Sequence, residues 1–292
     1  MSSIYAVPPE VLEGLVERNK TAITRLREHQ PEQVDYSSYP STKWAGVLVL
    51  LYEKAGELRV LLTTRDKRLR AHPGQVALPG GKRDPTDADF VETAFREAHE
   101  EVGLPRHFPH AHTICTLRQF VASTKLLVTP VIALLSDLSV LETLKPSPGE
   151  VDRIFDHPLE AMLDPTLAAK EKLAPIGSDD WIYPEELHNF SDIDLPWLAN
   201  STYRMHRFRS TAFAIKGLTA DVLIATAEIA YNKQTTFERW APKQISTFAP
   251  ILHVFLEELA AQGHTGGAST TTPNAKTIMG VNSEQATAEV EP

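Results

Sequence analysis

A chain of 292 residues with 42% apolar and 23% charged side chains has an ordinary globular composition and the length for one large domain or two small ones. Its formal net charge of −9 excludes a general affinity for nucleic-acid phosphates, and its single cysteine, Cys115, excludes an internal disulfide framework and fits a reducing compartment. No apolar run approaches the ~20 residues that span a bilayer, and neither a secretory pattern nor an SKL-type ending is present. The expectation is a soluble intracellular protein, cytoplasmic by default, with peroxisome and mitochondrion left open.

In chain order, Pro8 and Pro9 open a helix predicted to run to about His29, with Val11, Leu12, Leu15, Ile23 and Leu26 as its apolar positions. Residues 30–42 read as a linker. Runs 44–52 and 58–64 are β-rich and are separated by Glu53-Lys54-Ala55-Gly56-Glu57, a hairpin signature. A loop punctuated by Gly and Pro spans 65–87. A helix is predicted from about Ala88 to Val102, opened by Pro85 and by Thr86 and Asp87 as caps, and ended by Gly103 and Pro105. Strands are predicted at 112–120, where Cys115 reads as a small buried residue, and at 127–135. Residues 152–163 read as a short helical or turn segment. Residues 168–200 lack a period and read as an insertion loop that covers a site. A strand pair over 202–215 and helices over 220–231 and 245–261 follow. The composition from Gly263 onward predicts a disordered tail.

This pattern gives an α/β (α+β) fold class, a mixed β-sheet sandwiched between helices. The expected organisation is an N-terminal helical extension and linker (1–42), a main domain (43–261) with an insertion at about 165–200, and a disordered C-terminal tail (262–292).

The informative stretch is the helix after the glycine loop. At about 100° per residue, Val91, Ala94, Phe95, Ala98 and Val102 share one face. Glu97, Glu100 and Glu101 occupy the adjoining sector, since positions three and four apart stack on one another. Like charges so spaced cost a helix about 0.2–0.5 kcal/mol per pair, and a cation removes the repulsion. Hard oxygen donors suit Mg²⁺ or Mn²⁺ rather than zinc. The competing reading is a solvated acidic face. What favours a metal is Pro79-Gly80-Gly81 just upstream, a turn that lets a ligand approach a backbone carbonyl closely.

The residues Arg96-Glu97-Ala98-His99-Glu100-Glu101-Val102-Gly103-Leu104 resemble the second half of the Nudix box, R-E-U-x-E-E-x-G-U. The first half is lengthened: Gly81 lies one residue farther from Arg96 than in the general pattern, and Asp87 stands near the place of the box's first Glu. This form is similar to the coenzyme A diphosphatase branch of the Nudix hydrolases. So is the stretch from Leu61-Leu62-Thr63-Thr64-Arg65 through Arg70 and Gly74 to Leu78-Pro79-Gly80-Gly81, which follows L-L-T-x-R-[SA]-x3-R-x3-G-x3-F-P-G-G except at Asp66 and Leu78. The resemblance covers roughly 44–231.

That resemblance implies a Nudix fold and metal-dependent hydrolysis of the diphosphate of coenzyme A or acyl-coenzyme A to 3′,5′-ADP and (acyl)phosphopantetheine. It implies Glu97 and Glu101 as direct ligands of Mg²⁺ or Mn²⁺, with Glu100 coordinating directly or through water and the carbonyl of Gly80 completing part of the shell. The general base falls to Glu100 or to Glu150, whose other reading is an exposed carboxylate at a helix start. Arg96 is expected to point away from the carboxylates and to pair with an acid such as Asp87. Arg65, Arg70 and Gly81 are the expected substrate contacts, while Lys67, Arg68, Lys82 and Arg83 read as a solvated loop, and His72 and His157 as structural. The partner is a small molecule, with neither nucleic acid nor membrane, and the protein a monomer or homodimer. Two alternatives stay open: another Nudix substrate (ADP-ribose, NADH, a dinucleoside polyphosphate, an oxidised nucleotide or an mRNA cap) and a non-catalytic ligand-binding Nudix module.

Overall fold

The computed structural model describes residues 7–264 apart from Trp197 and Ala199. One compact unit runs to Leu256; a second starts at Glu257, of which the description reaches His264. The predicted tail from 262 onward lies almost wholly outside the described residues.

The chain opens with two helices, α1 (Pro9–Glu13) and α2 (Glu17–Glu28), where one was expected. Gly14 ends α1, and the amide of Val16, which a continuous helix would use internally, donates instead to Glu53 Oε2 at 2.9 Å. The break lets Leu12 and the Ala22, Ile23, Leu26 stripe of α2 reach the same core.

The hairpin follows as predicted: β1 (Trp44–Lys54) and β2 (Glu57–Arg65), joined through Ala55 and Gly56, both at positive φ. The glycine-rich loop holds two short strands, β3 (Val76–Ala77) and β4 (Gly80–Lys82), ahead of α3 (Phe90–Val102). Then come β5 (Ala111–Thr116), β6 (Phe120–Val121) and β7 (Leu127–Leu135). Cys115 is buried in β5 as a free thiol. Together with β8 (Val151–Pro158) these strands form an eight-stranded sheet of order β3-β2-β1-β7-β5, in which β4 pairs with β1, β6 with β7 and β8 with β2.

Alternation sorts the side chains of this sheet onto two cores. Val49 and Leu51 of β1 and Ile132 and Leu134 of β7 meet α2 and the later helix α4 (Gly217–Tyr231). Leu48, Leu50 and Tyr52 of β1 and Val131, Ala133 and Leu135 of β7 meet Ala94, Phe95, Ala98 and Val102 of α3. Burial on both faces explains why β1 and β7 read as unbroken apolar runs, since β1 pairs with β7 in parallel at the middle of the sheet.

Two expectations are corrected. Residues 152–163 are not a helical or turn segment throughout: β8 pairs antiparallel with β2 from Arg65↔Val151 to Arg59↔Pro158, and only Leu159–Met162 is a helical turn. The pairing is tied by Arg59, which is 7% exposed and donates to Asp156 and, through both terminal nitrogens, to Glu171. The stretch 168–200 is not a structureless insertion either. It contains β9 (His188–Leu195), which joins β10 (Ser201–Phe208) and β11 (Ile215–Lys216) in a second sheet of order β11-β10-β9. β9 shows no apolar alternation because its pairing is polar: Asp192 takes Arg204, and Asp194 takes the Thr202 hydroxyl. The final helix, α5 (Phe248–His264), buries Phe248, Leu252 and Phe255. Among the described residues no helix is long and apolar enough to cross a membrane.

Candidate functional site

The site is built where β4 lies between β1 and α3. Gly46 and Val47 of β1 pair with Gly81 and Gly80 of β4, so the glycine turn is held flat against the sheet. A Cβ on Gly80 would come within 2.5 Å of the Gly46 carbonyl oxygen, and one on Gly81 within 2.6 Å of the Glu97 carboxylate. Only glycine leaves room there for a carboxylate packed directly on the backbone.

α3 brings its acids to this turn. Its N-cap is Asp89, which accepts from the Glu92 amide at 2.9 Å while Glu92 accepts from the Ala88 amide at 2.7 Å. This corrects the expectation of Thr86 and Asp87 as caps. Asp87 is turned inward, where it accepts from the Asp84 amide, the Thr93 hydroxyl and the Arg96 guanidinium. Burial opposes its charge, but these donors prevail and hold its carboxyl at about 2. Gly103, at φ 75°, ends the helix as predicted.

Arg96 performs the expected loop-to-helix pairing and one unexpected task. Its Nε and Nη2 bind Asp87 at 2.9 and 3.0 Å, and Nη2 also donates to the Lys82 carbonyl at 2.9 Å. It does not point away from the other carboxylates, however: Nη1 lies 3.0 Å from Glu97 and 3.2 Å from Glu100. Glu97 is 17% exposed at its side chain and Glu100 is 52% exposed, so the first lies in the site and the second on its rim. Burial raises the Glu97 carboxyl against the pull of Arg96. Glu101 faces the turn and accepts from the Gly80 amide at 3.1 Å. Burial first, then repulsion by Glu97 and Glu150, lift its carboxyl to about 7 despite that hydrogen bond and the attraction of Arg65.

Among the described residues no three Asp, Glu, His or Cys side chains stand ready to ligate one ion together. The reason is visible: the Arg96 guanidinium draws Glu97 and Glu100, and the Gly80 amide draws Glu101. The donor set nonetheless fits a hard divalent cation. Two carboxylates, Glu97 and Glu101, converge on a glycine turn, they repel one another, and Glu101 has no ion-pair partner among the described residues.

The other predicted residues are distributed unevenly. Arg65, at the end of β2, is within electrostatic reach of Glu101, and its Nε is buried with no hydrogen-bond partner. Glu150 is an exposed residue ahead of a strand rather than a helix. It repels Glu101, its carbonyl accepts from the Asp66 amide at 2.9 Å, and its carboxylate meets the Ser147 hydroxyl at 3.4 Å. Arg70 is exposed on the loop, and no contact ties it to the site among the described residues. Asp66 is matched by Arg68, at 2.6 Å, and so leaves Arg65 free of it. Leu78 sits in the core. Arg83 is not a solvated loop residue: it donates to the Asp87 and Ala88 carbonyls and stacks near Trp44 and Phe90. His157 is 1% exposed inside the fold.

A Gly81→Ala substitution is expected to separate site from fold. The added methyl meets the far end of the Glu97 side chain and not the backbone, so stability should change by less than about 1 kcal/mol, while displacement of that carboxylate should lower any turnover that needs a cation at this turn about ten-fold. Thermal denaturation and initial rates together read this; a large drop in midpoint would place the damage in the backbone instead.

The NUDIX domain model matches residues 42–176. The mitochondrial Nudix hydrolase 15 of Arabidopsis thaliana is 35% identical over 203 residues, or 69% of this chain and 63% of that protein. The peroxisomal coenzyme A diphosphatase NUDT7 of Mus musculus is 35% identical over 179 residues, covering 61% of this chain and 72% of its own length. The mitochondrial coenzyme A diphosphatase NUDT8 of Homo sapiens is 34% identical over 185 residues, covering 60% and 77%. The chain spans less than two thirds of the length of the plant relative.

Proposed function

This chain belongs to the Nudix family, in its coenzyme A diphosphatase-like branch, and on that premise we propose that it hydrolyses the diphosphate of coenzyme A or an acyl-coenzyme A with the help of Mg²⁺ or Mn²⁺. The observation that carries the reading is the convergence of Glu97 and Glu101 on the Gly80-Gly81 turn, with Arg65 alongside and its Nε unpartnered.

Glu97 and Glu101 would hold the cation, with Glu100 and the Gly80 carbonyl as further donors. When bound, the cation supplies charge neutralisation on the diphosphate and a lowered pKa for an attacking water. Arg65 contributes a guanidinium suited to a phosphoryl oxygen pair. Arg96 fixes the register of turn and helix through Asp87 and Lys82, and its Nη1 lies against Glu97 and Glu100. Glu100 and Glu150 stand at the rim as acceptors for a proton of water. The water oxygen bonds to one phosphorus, the P–O bond to the bridging oxygen breaks, and the proton passes to the released phosphate. Products are 3′,5′-ADP and phosphopantetheine or its acyl form.

Mass spectrometry after incubation with coenzyme A and Mg²⁺ tests this, with ADP-ribose and NADH as competing substrates. Release of 3′,5′-ADP at a rate well above the turnover of the other two is the expected result. Turnover of ADP-ribose or NADH alone would overturn the substrate, and turnover of none would overturn the catalytic reading.

A further inference from the structure

Arg207 of β10 and Lys216 of β11 are register partners in the second sheet, so their side chains leave the same face directly opposite one another. Like charges so placed destabilise a sheet. Lys216 also immediately precedes α4, a helix of 15 residues whose N-terminus has no side-chain cap. The positive end of the helix dipole lies there, which is an unfavourable place for a cation. Burial, with Arg207 beside it, holds the Lys216 ammonium below the usual lysine range.

Among the described residues neither side chain makes an ion pair, although the Glu185 carboxylate, which accepts from Asn189, lies within electrostatic reach of Arg207. Arg207 donates to the neutral Asn189 and Ser191 side chains and stacks on Tyr183, and its Nε is buried without a hydrogen-bond partner. Lys216 meets the ring of Phe213 at 5.4 Å and, among the described residues, has no ion pair. Nearby acids are committed elsewhere: Asp221 to the Tyr203 hydroxyl at 2.7 Å, Asp192 and Glu238 to Arg204.

Two more basic groups adjoin, Arg65 at the end of β2 and His72 in the loop that follows. Burial disfavours the charged form of His72, and both Arg65 and Lys216 repel it, against one hydrogen bond with the Gln75 side chain. The His72 Nδ1 and the Arg65 Nε are buried without hydrogen-bond partners, and the His72 backbone is held at φ 54°, in the left-handed region. The loop is tied to β2 by the Arg65 amide donating to the Gln75 carbonyl, and its end is tied to α4 by the Thr219 hydroxyl donating to the Val76 carbonyl.

Each of these arrangements is unfavourable alone, and a single anion relieves all of them. We propose that Lys216, Arg207, His72 and the N-terminus of α4, flanked by Arg65 on the side of the diphosphate site, bind a phosphate monoester of the substrate, a phosphate other than the two in the cleaved diphosphate. A dianion with several acceptor oxygens matches several converging cations better than a carboxylate does. β3, against which β11 packs, ends at Ala77, three residues before Gly80, so no more than about 10 Å of chain separates it from the glycine turn. One nucleotide spans that interval. The inference rests on the diphosphatase reading for its substrate; on coenzyme A the group would be the 3′-phosphate.

Calorimetric titration of the full metal-free chain with 3′,5′-ADP and with 5′-AMP tests it apart from catalysis. The wild-type chain should bind 3′,5′-ADP about ten-fold or more tighter than 5′-AMP, and Lys216→Met and Arg207→Gln should each remove most of that preference. In hydrolysis assays the ratio of KM for coenzyme A to KM for dephospho-coenzyme A should rise by a similar factor in both variants. Lys216→Met should also melt no lower than the wild type, because it removes a repulsion, and Arg207→Gln decides the matter should Lys216→Met fail to fold. A wild-type chain indifferent to the 3′-phosphate, or variants that keep the full preference, overturns the site. A chain that discriminates the two nucleotides but does not cleave coenzyme A overturns the diphosphatase reading and leaves the site standing.

Discussion

Glu101→Gln is expected to lower metal-dependent diphosphate hydrolysis by at least about a hundred-fold, the upper end of what losing even an outer partner of a metal site costs. The amide oxygen of glutamine can still accept the Gly80 amide hydrogen, now at 3.1 Å from the carboxylate, so the turn keeps its anchor. The repulsion that Glu97 and Glu150 exert on Glu101 disappears, and with it part of what raises the Glu101 carboxyl to about 7. The variant should therefore fold at least as well as the wild type without metal. A cation bound to the native state raises the melting midpoint by mass action, so Mn²⁺ should stabilise the wild-type chain and leave Glu101→Gln unmoved. Turnover at the wild-type rate, or an equal Mn²⁺-induced shift in both proteins, would remove Glu101 from the metal site.

The second large effect lies one layer deeper. Asp87 is 2% exposed and neutralises Arg96 through two hydrogen bonds of 2.9 and 3.0 Å. Asp87→Ala leaves the Arg96 guanidinium, the Thr93 hydroxyl and the Asp84 amide without their shared acceptor, a loss of about 3 kcal/mol on the scale of broken buried ion pairs. A second consequence follows from Arg96 Nη1, which already contacts Glu97 and Glu100. Freed from Asp87, the guanidinium competes harder for those two carboxylates, and the half-saturating metal concentration should rise about ten-fold. The same pair sets an acid limit. The Asp87 carboxyl lies at about 2 when folded against 3.8 as its ordinary value, so its contribution is complete above pH 4 and is lost as pH falls toward 2. That contribution is about 2 kcal/mol. Urea titrations between pH 2 and 5 should show this loss in the wild type and its absence in Asp87→Ala. A variant with an unchanged midpoint and unchanged metal dependence would show that Arg96 is held by its other contacts alone.

Much of the molecule is legible in its sequence. The hairpin of β1 and β2, the extent of β7 and the apolar face of α3 follow from periodicity, because each is a local pattern read against one well-formed core. The acidic sector of α3 beside the glycine turn was equally plain, since helical geometry alone puts residues three and four apart together. Other features depended on partners distant in the chain. β8 is a strand because β2 offers it an edge and Arg59 ties Asp156 to Glu171, which no pattern within 151–158 announces. β9 is a strand because its acids meet Arg204 and Thr202 across the ladder. Gly14 breaks the first helix because Glu53, a residue of β1, captures the Val16 amide.

The same division runs through the site. The residue types and their spacing on α3 made hard-cation chemistry readable from the sequence, because the relevant distances there are set by the helix itself. Which acid is buried, which lies on the rim and which is held by Arg96 was decided only by the packing of β4 between β1 and α3. The basic cluster of Lys216, Arg207, His72 and Arg65 had no local signature beyond the place of Arg65 in the L-L-T-x-R stretch. Its members come from two sheets and a loop, and only the pairing of β10 with β11 and the seating of that loop against α4 bring their charges together. Short-range geometry is written into neighbouring residues, whereas burial and long-range electrostatics belong to the assembled fold.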